Sequence, residues 1–297
     1  MTVTESLVDV RWLAARLGQD APGLIVLDAT AVLPAPGFDG DYKLESGLAR
    51  WREAHIPGSR HADLVAEFSD QAAARHFSRP APAALAERLR GLGVEDSSDI
   101  VLYDAGGGIW ATRLWWQLRA IGVRAAVLDG GLDAWRAGGF PLEQGDPAEP
   151  VRAAGGTLTF AEPGVDAWAD IEEVAAVSSG EAAGTLVCAL GRDQFEGTAP
   201  TRYARRGHIP GSLNLPARSL VDPGTGLLAA EPEISAALRP LLDAPGPIVV
   251  YCGGGISATL LALGLVRAGR EDVQVYDGSL EEWTADPTRE VVLNQAA

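Results

Sequence analysis

Short apolar runs of four or five residues, bounded by turn formers, alternate along this chain with stretches whose apolar positions recur at helical spacing. Leu24-Ile25-Val26-Leu27-Asp28, Asp99-Ile100-Val101-Leu102-Tyr103, Thr185-Leu186-Val187-Cys188 and Ile248-Val249-Val250-Tyr251 are runs of the first kind. Apolar throughout rather than alternating, they suit strands of a parallel sheet covered on both faces. Residues 83–89 and 259–266 read as helices between them. The pattern predicts an α/β fold of mainly parallel sheets flanked by helices, with a Pro-, Gly- and charge-rich linker around 143–150.

A duplication doubles that unit. Ala54-His55-Ile56-Pro57-Gly58-Ser59 recurs as Gly207-His208-Ile209-Pro210-Gly211-Ser212. Val101-Leu102-Tyr103-Asp104-Ala105-Gly106-Gly107-Gly108 recurs at Val249 onward, where Tyr251-Cys252-Gly253-Gly254 stands in register. Leu128-Asp129-Gly130-Gly131 and Trp135 recur as Tyr276-Asp277-Gly278-Ser279 and Trp283. Three matches in one order imply two copies of one domain, placed at 1–145 and 165–297 with a linker at 146–164.

Composition narrows the partners. Forty acidic against 24 basic residues give a net charge of −16, which opposes binding to phosphate backbones, so nucleic acid is excluded as a partner class. No apolar run reaches membrane-spanning length and the first residues carry neither a basic nor an apolar leader, so a cytoplasmic protein without membrane attachment is expected. Two cysteines are too few for a disulfide framework and fit a reducing compartment. Four scattered histidines offer no metal-ligand spacing. Oligomeric state cannot be read from the chain.

The chemistry-bearing position is Cys252, where a strand becomes a glycine loop and then a helix. Successive loop N–H groups can form an anion-binding nest, and the positive end of the following helix favours thiolate over thiol. The segment Gly253, Gly254, Gly255, Ile256, Ser257 and Ala258 is the candidate substrate cradle. It lacks the Lys-Ser/Thr pair of a nucleotide loop. In the first copy Asp104 replaces the cysteine and cannot carry sulfur, which predicts a silent loop.

These motifs, in this order over nearly the whole chain, resemble the tandem-domain rhodanese family of thiosulfate and 3-mercaptopyruvate sulfurtransferases. The resemblance implies two rhodanese-like domains, a silent first copy, and a ping-pong cycle through a Cys252 persulfide that needs no metal or organic cofactor. Its partners would be a small anionic sulfur donor and a thiophilic acceptor, cyanide or a thiol. Cysteine phosphatases share this fold but need an arginine where this chain has Ala258. Thiosulfate is the expected donor, because Gly254 stands where mercaptopyruvate enzymes carry a proton-relaying serine. Mercaptopyruvate transfer, and a noncatalytic regulatory module, are the alternatives. The family's anion-binding arginines map nearest to Arg192, with Gln194 at the gapless match, and to Arg202. His55 and His208 occur in both copies and read as fold-maintaining; His76 resembles a family segment approaching the site from the first domain. Cys188 stands where the first copy has Asp28 and reads as a buried apolar substitution, with a disulfide to Cys252 as the alternative that the geometry can test.

Overall fold

The computed structural model describes residues 5–19, 22–146, 157–160 and 166–293. Each half is built on a five-stranded, all-parallel sheet. The first runs in the order Leu7–Val8, Ala125–Leu128, Asp99–Tyr103, Leu24–Asp28, Arg60–His61. The second runs Trp168–Ala169, Val273–Tyr276, Ile248–Tyr251, Thr185–Cys188, Leu213–Asn214. Strand for strand the orders coincide, as the sequence repeat requires. Of the six strands of four or five residues, four fall on the predicted apolar runs; Ala125–Leu128 and Val273–Tyr276 are the other two. The edge strands are only two residues long, too short to leave a run in the sequence.

Helices Pro82–Gly91 and Ser257–Arg267 enclose the predicted segments 83–89 and 259–266. Their caps are mostly backbone. Helices Val10–Leu17 and Ile171–Ser179 have side-chain N-caps: Asp9 accepts the Arg11 and Trp12 N–H groups, and Asp170 and Glu173 satisfy each other's N–H groups in a capping box.

Helix Ile109–Ala120 is buried around nearly its whole circumference, including Arg113, Trp115, Trp116 and Gln117. It packs on its own sheet and also against helix Ser257–Arg267 of the other copy, which explains why it lacks a polar face. Thr259 Oγ1 donates to Thr112 Oγ1 at 3.0 Å across that contact, and Trp116 Nε1 to the Ala167 carbonyl at 3.0 Å. One hydrophobic cluster therefore runs through both copies, while two smaller ones lie on the outer faces of the sheets. Trp135 and Trp283 sit in those outer clusters, each donating Nε1 to a carbonyl of the returning chain, Pro141 and Glu290. They pack the domains and do not form the interface.

Of the predicted linker 146–164, residues 147–156 and 161–164 lie outside the described residues. Its described piece is tied to the first copy: Thr157 and Thr159 donate to Asp96, and Arg90 donates to the Leu158 carbonyl. Among the described residues no helix is long and apolar enough to cross a membrane.

Candidate active site

Cys252 follows strand Ile248–Tyr251 and precedes helix Ser257–Arg267, at the carboxyl end of the sheet where open α/β folds place ligands. It is 2% exposed and forms the floor of a cleft of about 350 Å³ between the two copies. The second copy contributes Gly253, Gly254, Ile256, Ser257, Gln194, Arg202, Tyr203 and Arg218; the first contributes Leu33, Tyr42, Phe77, Ile109 and Trp110 among others. The copy without a cysteine is thus half of the cleft wall.

The two glycine loops can be compared directly. In the first, the Asp104 carboxylate lies inside its own loop and accepts the N–H groups of Gly106, Gly108, Trp110 and Ala111 at 2.7 to 2.9 Å. Burial pushes the Asp104 carboxyl up, against the lowering effect of those N–H groups. The loop thereby holds an anion of its own, the position at which Cys252 stands in the second copy. By register, Gly254 and Ala258 correspond to Gly106 and Trp110.

Not all of the second loop's N–H groups are available to a sulfur anion, contrary to the sequence-based expectation. Cys252 and Gly255 N–H donate to Ser279 Oγ at 3.1 and 3.0 Å, and Thr259 N–H to the Ile256 carbonyl at 3.0 Å. Ser279 is fully buried with φ 47°, a left-handed conformation unusual for serine; Gly131 holds the corresponding position in the first copy. Gly253 is packed so closely that a Cβ there would overlap the Tyr203 phenol. Gly255, at φ +74°, needs glycine's freedom for the turn.

Arg202 lines the cleft, with Nη2 donating to the Pro34 carbonyl and a buried Nε without a partner. Arg192 does not. Its side chain is 84% exposed and pairs with Glu196 at 2.7 Å, one turn along the helix. Gln194, the gapless family match, faces the cleft instead. Two positions along a helix are rotated by roughly 200°, so both could not face the same site. Gly255 and Ala258 are buried beneath the cleft surface.

The sequence reading missed Tyr42, Tyr203 and Arg218, which carry no motif and meet only by folding. Burial raises both phenols well above the ordinary tyrosine range, with Glu281 next for Tyr42 and Cys252 next for Tyr203. Both hydroxyls stay protonated near neutral pH. His76 stacks on Tyr42 at 3.9 Å and contacts Glu281 at 2.7 Å, so it supports the cleft wall from behind. His55 and His208 stack on Trp51 and Phe195 and bond the carbonyls of those same residues at 2.8 Å, a structural role in both turns.

Cys188 has the buried packing role read from the sequence, and the alternative Cys188–Cys252 disulfide is excluded. Cys188 pairs in register with Tyr251, and alternate residues of a strand face opposite sides of the sheet. Cys188 therefore lies in the outer cluster with Tyr251, and Cys252 in the central one; both thiols are free. Burial also pushes the Cys188 thiol up to about 12, which keeps it protonated and unreactive. Asn214 Nδ2 donates to the Cys188 and Leu190 carbonyls, in the place where the first copy brings His61 to Asp28.

Comparison with known proteins agrees with this architecture. The rhodanese-like domain model matches residues 9–138 and 192–286. The chain is 32% identical to human 3-mercaptopyruvate sulfurtransferase over 98% of this chain and 95% of that one. It is 34% identical to the putative thiosulfate sulfurtransferase SseB of Mycobacterium tuberculosis over 87% and 90%. The crystal structure of the 3-mercaptopyruvate sulfotransferase SseA from Escherichia coli superposes with a TM-score of 0.76 at 30% identity, covering 93% of this chain and 99% of that one.

Proposed function

The chain belongs to the rhodanese family, and on that premise we propose that it is a sulfurtransferase moving sulfane sulfur from thiosulfate to a thiophilic acceptor through a persulfide on Cys252. The observation that carries this reading is the pair of glycine loops. One encloses its own carboxylate, and the other has a cysteine at that point, opening on a cleft walled by Arg202. In the first half-reaction the Cys252 thiolate attacks the outer sulfur of thiosulfate; a Cys–S bond forms, the donor's S–S bond breaks, and sulfite leaves with the electron pair. The persulfide anion is then met by the remaining loop N–H groups and the helix N-terminus. A cyanide or thiol nucleophile takes the outer sulfur and restores the thiolate. A mass increase of Cys252 by one sulfur after thiosulfate treatment tests the reading, and an unmodified cysteine would reject it.

Donor choice rests on Gly254. Mercaptopyruvate must have a proton delivered to carbon as pyruvate leaves, whereas sulfite needs none. Position 254 offers no hydroxyl for that step. A specific observation favours mercaptopyruvate as the second reading: the cleft is roomier than thiosulfate needs, and its apolar walls Phe77, Ile109 and Trp110 suit an organic acid. Wild type is expected to use thiosulfate at least as well as mercaptopyruvate. Gly254→Ser is expected to raise mercaptopyruvate turnover relative to thiosulfate about tenfold, less than the roughly 100- to 10,000-fold of a fully positioned general acid–base group, because the loop around it is not built for that serine. A Cβ there would lie 3.4 Å from Glu281 Oε2, a buried oxygen without a hydrogen-bond partner, so the new hydroxyl has an acceptor to hold it. Steady-state rates with both donors decide it, and a strong mercaptopyruvate preference in wild type would sink the argument.

Arg202→Gln is expected to raise the thiosulfate KM about tenfold, the loss of one charge-assisted hydrogen bond. Arg192→Gln should leave both kinetic constants within error, its guanidinium being solvated and bound to Glu196. Equal effects from the two substitutions would contradict this assignment.

A further inference from the structure

Arg113 belongs to the copy that lacks the cysteine, on helix Ile109–Ala120, yet three of the groups it binds organise the other copy's site. Its guanidinium is fully buried. Nη1 donates to the Gly255 carbonyl at 3.1 Å, and Nη2 to the Phe77 carbonyl at 2.5 Å and to Asp277 Oδ1 at 2.6 Å. Gly255 is the centre of the Cys252 loop, and Phe77 lines the cleft. The Trp168 ring lies beneath the guanidinium at 4.9 Å, and Nε has no partner.

Stability alone is a poor account of this residue. Removing a guanidinium and a carboxylate from water costs several kcal/mol, and such pairs are often no better than apolar side chains of similar volume. The repeat makes the comparison internally, because Leu261 occupies the matching position on the second copy's helix and is buried in the same manner.

A difference between the two loops shows where the arginine acts. They share the strand exit and the helix start, and Gly107 and Gly255 have φ of 77° and 74°. At the next residue they part: Gly108 has φ 87°, and Ile256 has φ −90°. The peptide joining 255 to 256 is therefore the unit whose orientation distinguishes the loops. In the first copy the Asp104 carboxylate sets it from within, by accepting the Gly108 N–H at 2.9 Å. In the second the loop has no internal carboxylate. The 255–256 peptide is held from outside by Arg113 on the Gly255 carbonyl, while Ser279 on the Gly255 N–H fixes the peptide before it. Since a trans peptide is planar, fixing that carbonyl on the guanidinium turns the Ile256 N–H to the opposite side.

We propose that Arg113 is a positioning residue for sulfur transfer, supplied in cis by the silent copy, which selects the orientation of the 255–256 peptide and with it the set of N–H groups that meets the Cys252 sulfur. The proposal rests on the sulfurtransferase reading above. It gives the first copy a task beyond walling the cleft, since a catalytic domain folded alone would lack the clamp. The double substitution Arg113→Met with Asp277→Asn removes both buried charges together, and Arg113→Lys keeps the charge but not the fork that reaches three acceptors.

The test is single-turnover persulfide formation from thiosulfate in the full-length protein, with melting temperature and the pH dependence of Cys252 alkylation measured on the same samples. Wild type that forms no persulfide would reject the sulfurtransferase reading rather than this one. With wild type active, the folded double variant is expected to form persulfide about 100-fold more slowly, the scale of an ångström-sized misplacement, at unchanged apparent thiosulfate affinity. Its alkylation profile is expected to shift to higher pH, because fewer N–H groups stabilise the thiolate. Arg113→Lys is expected to recover part of the rate. A folded double variant with the wild-type rate and alkylation profile would overturn the proposal. Should the double variant not fold, Arg113→Lys decides: a folded protein about tenfold slower supports the clamp, and one at the wild-type rate overturns it.

Discussion

Cys252→Ser is expected to lower sulfur transfer by at least about 1,000-fold with either donor, the scale seen when a nucleophile is removed from an otherwise intact site. Serine is the closest replacement in shape, and the cysteine backbone contacts do not depend on the thiol: its N–H donates to Ser279 Oγ and its carbonyl accepts the Leu280 N–H at 3.1 Å. The variant should therefore fold normally. What it loses is the nucleophile, because a serine alkoxide is inaccessible near neutral pH and the neutral hydroxyl is a poor nucleophile toward sulfur. Cys188 cannot substitute, being buried on the opposite face with its thiol pushed up to about 12. The measurement is cyanide-dependent thiocyanate formation together with intact-protein mass after thiosulfate. Residual turnover within tenfold of wild type, with a sulfur adduct, would remove Cys252 from its role.

Asp104→Ala is expected to destabilise the protein by about 3 kcal/mol or more, a larger effect than a surface-loop carboxylate would produce. Four N–H groups converge on this buried side chain, and each buried donor left without an acceptor costs about 1–3 kcal/mol, reduced where water can enter. Asparagine should recover only part of the loss, because its amide nitrogen faces N–H groups that need an acceptor. Persulfide formation should persist in the folded fraction, since no atom of Asp104 reaches the cleft. Its efficiency should fall modestly, because Ile109 and Trp110, which follow the same loop, form part of the wall. Denaturant unfolding curves and single-turnover persulfide yields on the same preparation separate the two. A variant as stable as wild type would show that the carboxylate is not the organiser of the first loop.

The exchange of Asp104 for Cys252 can be read from the repeat, but its physical meaning cannot. As sequence, it marks one loop as silent. In three dimensions it divides two ways of shaping the same glycine loop, an internal carboxylate in one and external contacts from Ser279 and Arg113 in the other. Nothing local in the sequence distinguishes Arg113 from a helix surface arginine. Its burial follows from the second copy packing on that helix, a contact between residues about 140 positions apart.

Arg192 shows the opposite failure. Choosing the nearest basic residue in sequence ignored the phase of the short helix Arg192–Phe195, which sends Arg192 into solvent and Gln194 into the cleft. Cys188 is a packing residue and not a redox partner: parallel strands set it beside Tyr251, and the pleat puts its sulfur on the other side of the sheet from Cys252.

What the sequence determined by itself was whatever depends on short-range pattern. Four of the six longer strands follow from apolar runs, the two-domain plan from the repeat, and the position of Cys252 from a strand, a glycine loop and a helix in succession. Local stereochemistry and burial periodicity act over a few residues, so they leave a signature in the linear order. The cleft was decided only by tertiary structure. Tyr42, Phe77 and Trp110 meet Arg202, Tyr203 and Arg218 because the two copies share one continuous core, and that shared burial turns two similar sheets into opposite walls of a single site.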